Sequence, residues 1–147
     1  MKLLKRLMIG FHIFVGIGAL AGGLAAILNP YAPMGMSAAE ALNNSPFHSF
    51  LIPGLLLFGV IGLGNLFSAF VILRNYQLRA YISGIFSGAL VIWIIVQCLM
   101  LQDIVFLHVL YLCIGLIQAF LAALLLLKNE QFPANLVIKL YQKLRKQ

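Results

Sequence analysis

The sequence predicts an all-α, polytopic membrane protein, and three observations carry that expectation. Long apolar blocks recur along the chain, their interiors hold no Asp, Glu, Lys or Arg, and the cations fall in separate clusters between them. The 147-residue chain is 63% hydrophobic and only 9% charged, too apolar for a water-soluble domain of this size, which must leave much of its surface exposed. A single membrane domain over residues 1–147 is the expected organisation.

Four blocks reach the ~20 residues needed to cross a hydrocarbon core of ~30 Å. They run over residues 7–28, 52–73, 80–101 and 104–127, leaving a loop at 29–51 and a tail at 128–147. Inside lipid each backbone N–H and C=O must bond within the protein, and none of the blocks has the strict two-residue alternation of a barrel strand. Each therefore reads as a helix, and four such helices in an antiparallel bundle are expected.

Charge supplies an orientation. Lys2, Lys5 and Arg6 precede the first block, Arg74 and Arg79 link the second to the third, and Lys128, Lys139, Lys143, Arg145 and Lys146 follow the fourth. Four crossings put all three groups on one side, while residues 29–51 and the turn at Gln102 and Asp103 contain no Lys or Arg. The positive-inside rule then places both termini in the cytoplasm and the 29–51 loop outside. The +7 net charge is accounted for in this way, and no nucleic-acid partner is expected, because no aromatic residues alternate with the cations on a plausible groove.

The basic start, the apolar run and the Ala19-Leu20-Ala21 triplet imitate a secretory signal. The run continues through Gly22, Gly23, Leu24 and Ile27 without a polar stretch, so an uncleaved crossing is the preferred reading. In the first loop, Asn29-Pro30 and Pro33 break the helix, and Ser37 followed by Glu40 has capping-box spacing ahead of a short outer-surface helix at 38–42. Pro53 lies in the first turn of the second long helix if Ser49 is its cap, or kinks it if the helix begins at Pro46. Beyond Pro133, Val137, Leu140, Tyr141 and Leu144 recur at helical spacing among basic residues, as in an amphipathic tail lying on an anionic leaflet.

Small residues recur on single helical stripes: Gly18 with Gly22, Gly64 with Ser68, Ala80 with Gly84 and Gly88, and Gly115 with Ala119 and Ala123. Such stripes let helices approach closely where lipid supplies little hydrophobic drive between them. Packing within the bundle is the first expectation for them, and a second copy or a larger membrane protein is the alternative partner beside the lipid bilayer itself.

Polar groups inside the blocks are few: His12, Asn65, Gln97, His108, Tyr111 and Gln118. The lack of deep Asp, Glu, Lys or Arg argues against a proton-coupled pump. Asn65, Gln97 and Gln118 read as interhelical glue. Asp103, His108 and Tyr111 lie near the outer mouth, where Glu40 and His48 from the loop can close over them as weak catalytic candidates. Asp103 and His108 are five positions apart, which suits neither interval of one helix face, and Asp103 also suits the N-cap of the fourth helix. No metal-ligand pattern or cofactor motif is present. Cys98 and Cys113 flank the same turn at depths differing by roughly 9 Å, beyond disulfide reach.

The stretch SPFHSFLIPGLLLFGVIGLGN, residues 45–65, together with VIWIIVQ, residues 91–97, resembles a pattern in a family of uncharacterised, small four-helix bacterial integral membrane proteins. That resemblance implies a four-helix fold in a bacterial inner membrane and carries over no functional residue. Three functions are compatible with the residues. The first is a non-enzymatic accessory or scaffold protein acting through helix packing. The second is a small-solute or lipid transporter formed by oligomerisation, similar in size and helix count to small multidrug transporters but with His12 where those carry a carboxylate. The third is a membrane enzyme with an outer-face Asp/His/Tyr site. The first is the expectation, with no enzymatic role.

Overall fold

A computed structural model describes residues 2–129 together with Gln131, Phe132 and Asn135. Its elements are all helices: α1 (Lys2–Leu28), α2 (Ala38–Ala41), α3 (Leu51–Leu73), α4 (Arg79–Leu101) and α5 (Phe106–Lys128). α1, α3, α4 and α5 are each long and apolar enough to cross a membrane. The expected basic tail lies outside the described residues beyond Lys128, apart from Asn129, Gln131, Phe132 and Asn135.

The long helices alternate in direction. At one end Met8, Ile72, Ala80 and Leu125 form a buried cluster, joining the start of α1 and α4 to the finish of α3 and α5. At the other end Ala26, Phe50 and Met100 pack together with Ala38 and Leu42 from the first loop. α2 thus folds back over the helix ends; Ala38 N–H donates to the Tyr31 carbonyl (2.8 Å) and Phe50 N–H to the Pro30 carbonyl (2.8 Å), which tie the loop down. Ser37 is the N-cap of α2, but its side chain makes no capping hydrogen bond.

Exposure is inverted relative to a soluble protein. Ile85, Ile92 and Leu99 on α4 and Phe120 on α5 are all more than 60% exposed, whereas His12, Asn65, Ser68, Ser83 and Ser87 are fully buried. An outer face this apolar is stable only in an apolar solvent. The helix ends match: α1 starts at Lys2, five positions before the apolar block, because Lys2, Lys5 and Arg6 can remain helical while their long side chains reach water.

Glycine sets the α1–α3 contact. A Cβ on Gly23 would stand 2.7 Å from the Phe58 backbone nitrogen and 2.9 Å from the Gly54 carbonyl oxygen, and one on Gly54 would stand 2.7 Å from the Ala26 methyl group. The two backbones are therefore in direct contact, the arrangement that van der Waals packing in lipid rewards. Within α3 residues Leu57–Leu63 form a π-helical turn, a widening that shifts the register of everything after it. Pro53 is the third residue of α3, in its first turn, where a missing N–H costs nothing.

The α3–α4 turn closes tightly. Asn75 adopts a left-handed conformation (φ 53°), and Tyr76 N–H donates to the Val71 carbonyl across it at 3.0 Å. Arg79 then donates through Nη1 to the Asn75 and Tyr76 carbonyls, each at 3.0 Å, and Lys5 of α1 donates to the Asn75 side-chain oxygen. Arg79 and Lys5 thus satisfy backbone and side-chain oxygens of the turn itself.

Candidate functional site

Each long helix sends one polar side chain to a shared buried point. His12 comes from α1, Asn65 from α3, Ser83 from α4 and Gln118 from α5, and none is more than 1% exposed. In an apolar solvent an unpaired polar group is costly, so helices that each carry one are driven to bring them together.

The heavy-atom pattern assigns the protons. Where α3 leaves its π turn, the Ile61 carbonyl accepts the Gly64 N–H and also Nδ2 of the Asn65 side chain at 2.8 Å. That bond points Asn65 Oδ1 at His12 Nδ1, 2.7 Å away, so Nδ1–H is the donor. Nε2 of the neutral ring is then an acceptor, and Ser83 Oγ donates to it at 2.6 Å. With Nδ1 protonated, the Gln118 amide nitrogen, 3.3 Å from Nδ1, has no lone pair to meet there. It donates instead to Asn65 Oδ1 at 3.4 Å, a long bond. Gln118 Oε1 is left buried with no hydrogen-bond partner among the described residues.

Neighbouring hydroxyls turn back on their own helices. Ser68 Oγ donates to the Gly64 carbonyl at 2.9 Å and Ser87 Oγ to the Ser83 carbonyl at 2.6 Å, so neither adds an interhelical bond. Gln97 is half-buried and makes no side-chain hydrogen bond among the described residues.

The outer candidates are dispersed. Asp103, Glu40 and His48 are exposed, and no hydrogen bond among the described residues joins any of them to His108 or Tyr111. His108 is buried, and its Nδ1 accepts the Val105 backbone N–H at 3.3 Å. Val105, not Asp103, is the N-cap of α5, because Asp103 sits two positions too early in the extended link after Gln102. Tyr111 stacks on Phe14 of α1 with ring centroids 5.9 Å apart, and its hydroxyl covers Gly18. Among the described residues no group of three His, Cys, Asp or Glu is arranged to hold a metal ion. Cys98 and Cys113 are free thiols.

The small-residue stripes divide. A Cβ on Gly64 would collide with the Phe86 ring and one on Gly115 with Val91, so these two positions are filled by α4. A Cβ on Gly22 would meet only Leu57 at 3.5 Å and one on Gly84 only Ala122 at 3.8 Å, both ordinary contacts, and one on Gly88 would meet nothing within 4 Å. Ser68 is buried and Ala119 half-buried. The tightest glycine-to-backbone approach uses Gly23 and Gly54, which are in none of the stripes named from the sequence.

No protein-family model, curated protein or solved structure matches the chain.

Proposed function

We propose that the chain is a multi-pass protein of a bacterial inner membrane, both termini cytoplasmic, that acts as a non-enzymatic accessory or scaffold component through helix packing. The observation that carries this reading is the His12–Asn65–Ser83–Gln118 cluster, in which one polar side chain from each long helix hydrogen-bonds to another across the bundle. Polar chemistry in the core is thereby used to hold helices together.

Two further features support it. Of the residues considered for outer-face catalysis, Asp103, Glu40 and His48 are exposed, His108 is bonded to its own helix start and Tyr111 is stacked on Phe14. On α4, Gly88 presents backbone with no neighbour, a place for another helix to approach. The orientation follows from the cations at the helix ends, Lys5 and Arg6 on α1, Arg74 and Arg79 at the α3–α4 turn and Lys128 on α5. The bacterial inner membrane follows from the family resemblance.

Affinity purification of the intact chain in mild detergent, with mass spectrometry and a native mass, tests the proposal. Recovery of one larger membrane protein, or a second copy, in fixed ratio supports it, and Gly88→Cys should cross-link to that partner. A monomer without partner, with activity lost in His12→Ala, moves the function to transport.

A further inference from the structure

A shallow, open lateral groove of about 420 Å³ runs along α1 beside α5, lined by Arg6, Leu7, Gly10, Phe11 and Phe14 of α1 and Ile114 of α5. Its volume is in the range of small-molecule sites, ~300–1,000 Å³. The cause is Gly10. A Cβ there would meet nothing within 4 Å, whereas Gly16, Gly18 and Gly23 on the same helix are each covered by a neighbour. Gly16 and Gly23 repay their low helix propensity with close packing against α3; Gly10 has no such return within the chain.

Length and charge identify the occupant. Arg6 and Phe14 are eight helical rises apart, about 12 Å, close to the roughly 15 Å of hydrocarbon in one leaflet. Leu7 and Phe14 leave the walls apolar and exposed, and Ile114 of α5 forms a buried floor. At the end of the groove nearest the N terminus stands Arg6, exposed and with no carboxylate partner among the described residues. Lys5 beside it is turned away to Asn75, and the two described acids, Glu40 and Asp103, lie on links at the opposite end of the helices; Glu130 lies outside the described residues. A guanidinium fork matches a phosphate group, and basic pockets at the cytoplasmic ends of membrane helices hold anionic headgroups.

We propose that this groove binds one anionic phospholipid, with an acyl chain along Gly10 between Phe11 and Phe14 and its phosphate on Arg6. The site requires that the helices lie in lipid and is independent of any protein partner, because the test uses the isolated chain.

Native mass spectrometry of the purified full chain, titrated with phosphatidylglycerol or with phosphatidylcholine of the same acyl length, reads the binding directly. One phosphatidylglycerol should be retained with at least tenfold preference over phosphatidylcholine. Arg6→Gln should abolish the preference, and Gly10→Leu, which fills the groove, should weaken retention at least tenfold. Gly59→Leu, at another glycine with open space around it, should change neither. Equal retention of the two lipids by the unaltered chain overturns the proposal, as does undiminished binding in a folded Gly10→Leu variant. If Gly10→Leu loses its helical circular dichroism, Arg6→Gln decides alone, since it leaves the apolar packing intact: an unchanged preference rejects the site.

Discussion

His12 of α1 and Asn65 of α3 are joined by a 2.7 Å hydrogen bond across 53 positions of sequence, and Asn65 is held for that role by its own bond to the Ile61 carbonyl. Asn65→Leu removes the acceptor for His12 Nδ1–H and for the Gln118 amide together. A loss of about 1–2 kcal/mol is expected, between typical membrane interhelical bonds and the cost of orphaning a buried donor. Ser68→Ala, which deletes only a bond to its own helix, should stay within about 0.5 kcal/mol of the parent. Equilibrium unfolding in mixed micelles separates the two, and equal losses would show that the His12–Asn65 pair is not a principal tie.

His12 also reaches α4, since its Nε2 accepts from Ser83 Oγ. His12→Leu and Ser83→Ala should therefore be non-additive, with a coupling of at least about 0.5 kcal/mol in a double-mutant cycle. Additive losses would mean that the hydroxyl and the ring stabilise the protein separately.

Glycine positions give opposite outcomes according to what faces them. Gly23→Ala pushes a methyl group against the Phe58 nitrogen and the Gly54 carbonyl, backbone atoms that cannot rotate aside. Overpacking of this kind costs about 1–3 kcal/mol. Gly88→Ala meets open space and replaces a poor helix former, so the isolated chain should gain up to about 1 kcal/mol. Thermal melts in one detergent compare both; a stable Gly23→Ala variant would show that α1 and α3 can separate without loss.

The four long helices were legible because length and hydropathy are local properties, and lipid solvation makes them decisive. His12, Asn65 and Gln118 stood out as isolated polar residues in apolar runs, but their convergence depends on how four helices are rotated against one another. Ser83 gave no signal, since a serine pairs equally well with its own helix, as Ser68 and Ser87 do. The Gly23–Gly54 contact was not among the stripes singled out, although Ala19 and Gly23 have the four-residue spacing, because spacing along one helix does not say which of several small-residue faces meets a neighbour. The π turn at Leu57–Leu63 left no mark in a uniformly apolar stretch, although it sets the rotation of Asn65.

Orientation has a direct chemical readout. In a variant whose Cys98 and Cys113 are replaced by Ala, Ser45→Cys should react in whole cells with a maleimide that cannot cross the inner membrane. Asn75→Cys should react only after the membrane is permeabilised. The expectation follows from Arg74, Arg79 and Lys5 at residue 75, against a 29–51 loop without Lys or Arg. The reverse pattern would invert the topology while leaving the helix packing unchanged.

Gln118 differs from the other members of the cluster because its amide is only half used. Nε2 makes one 3.4 Å bond to Asn65 Oδ1, while the buried Oε1 has no partner among the described residues. Replacing a poorly satisfied polar group by an apolar one of similar volume is near neutral, whereas truncating it leaves a cavity. Gln118→Met should accordingly fall within about 0.5 kcal/mol of the parent or be more stable, and Gln118→Ala should lose about 2 kcal/mol or more on the scale of buried Met-to-Ala changes. The pair of variants separates packing from hydrogen bonding at one site. If Met costs as much as Ala in mixed-micelle unfolding, the amide contributes through its polar atoms, and Oε1 must then be satisfied in the folded membrane state.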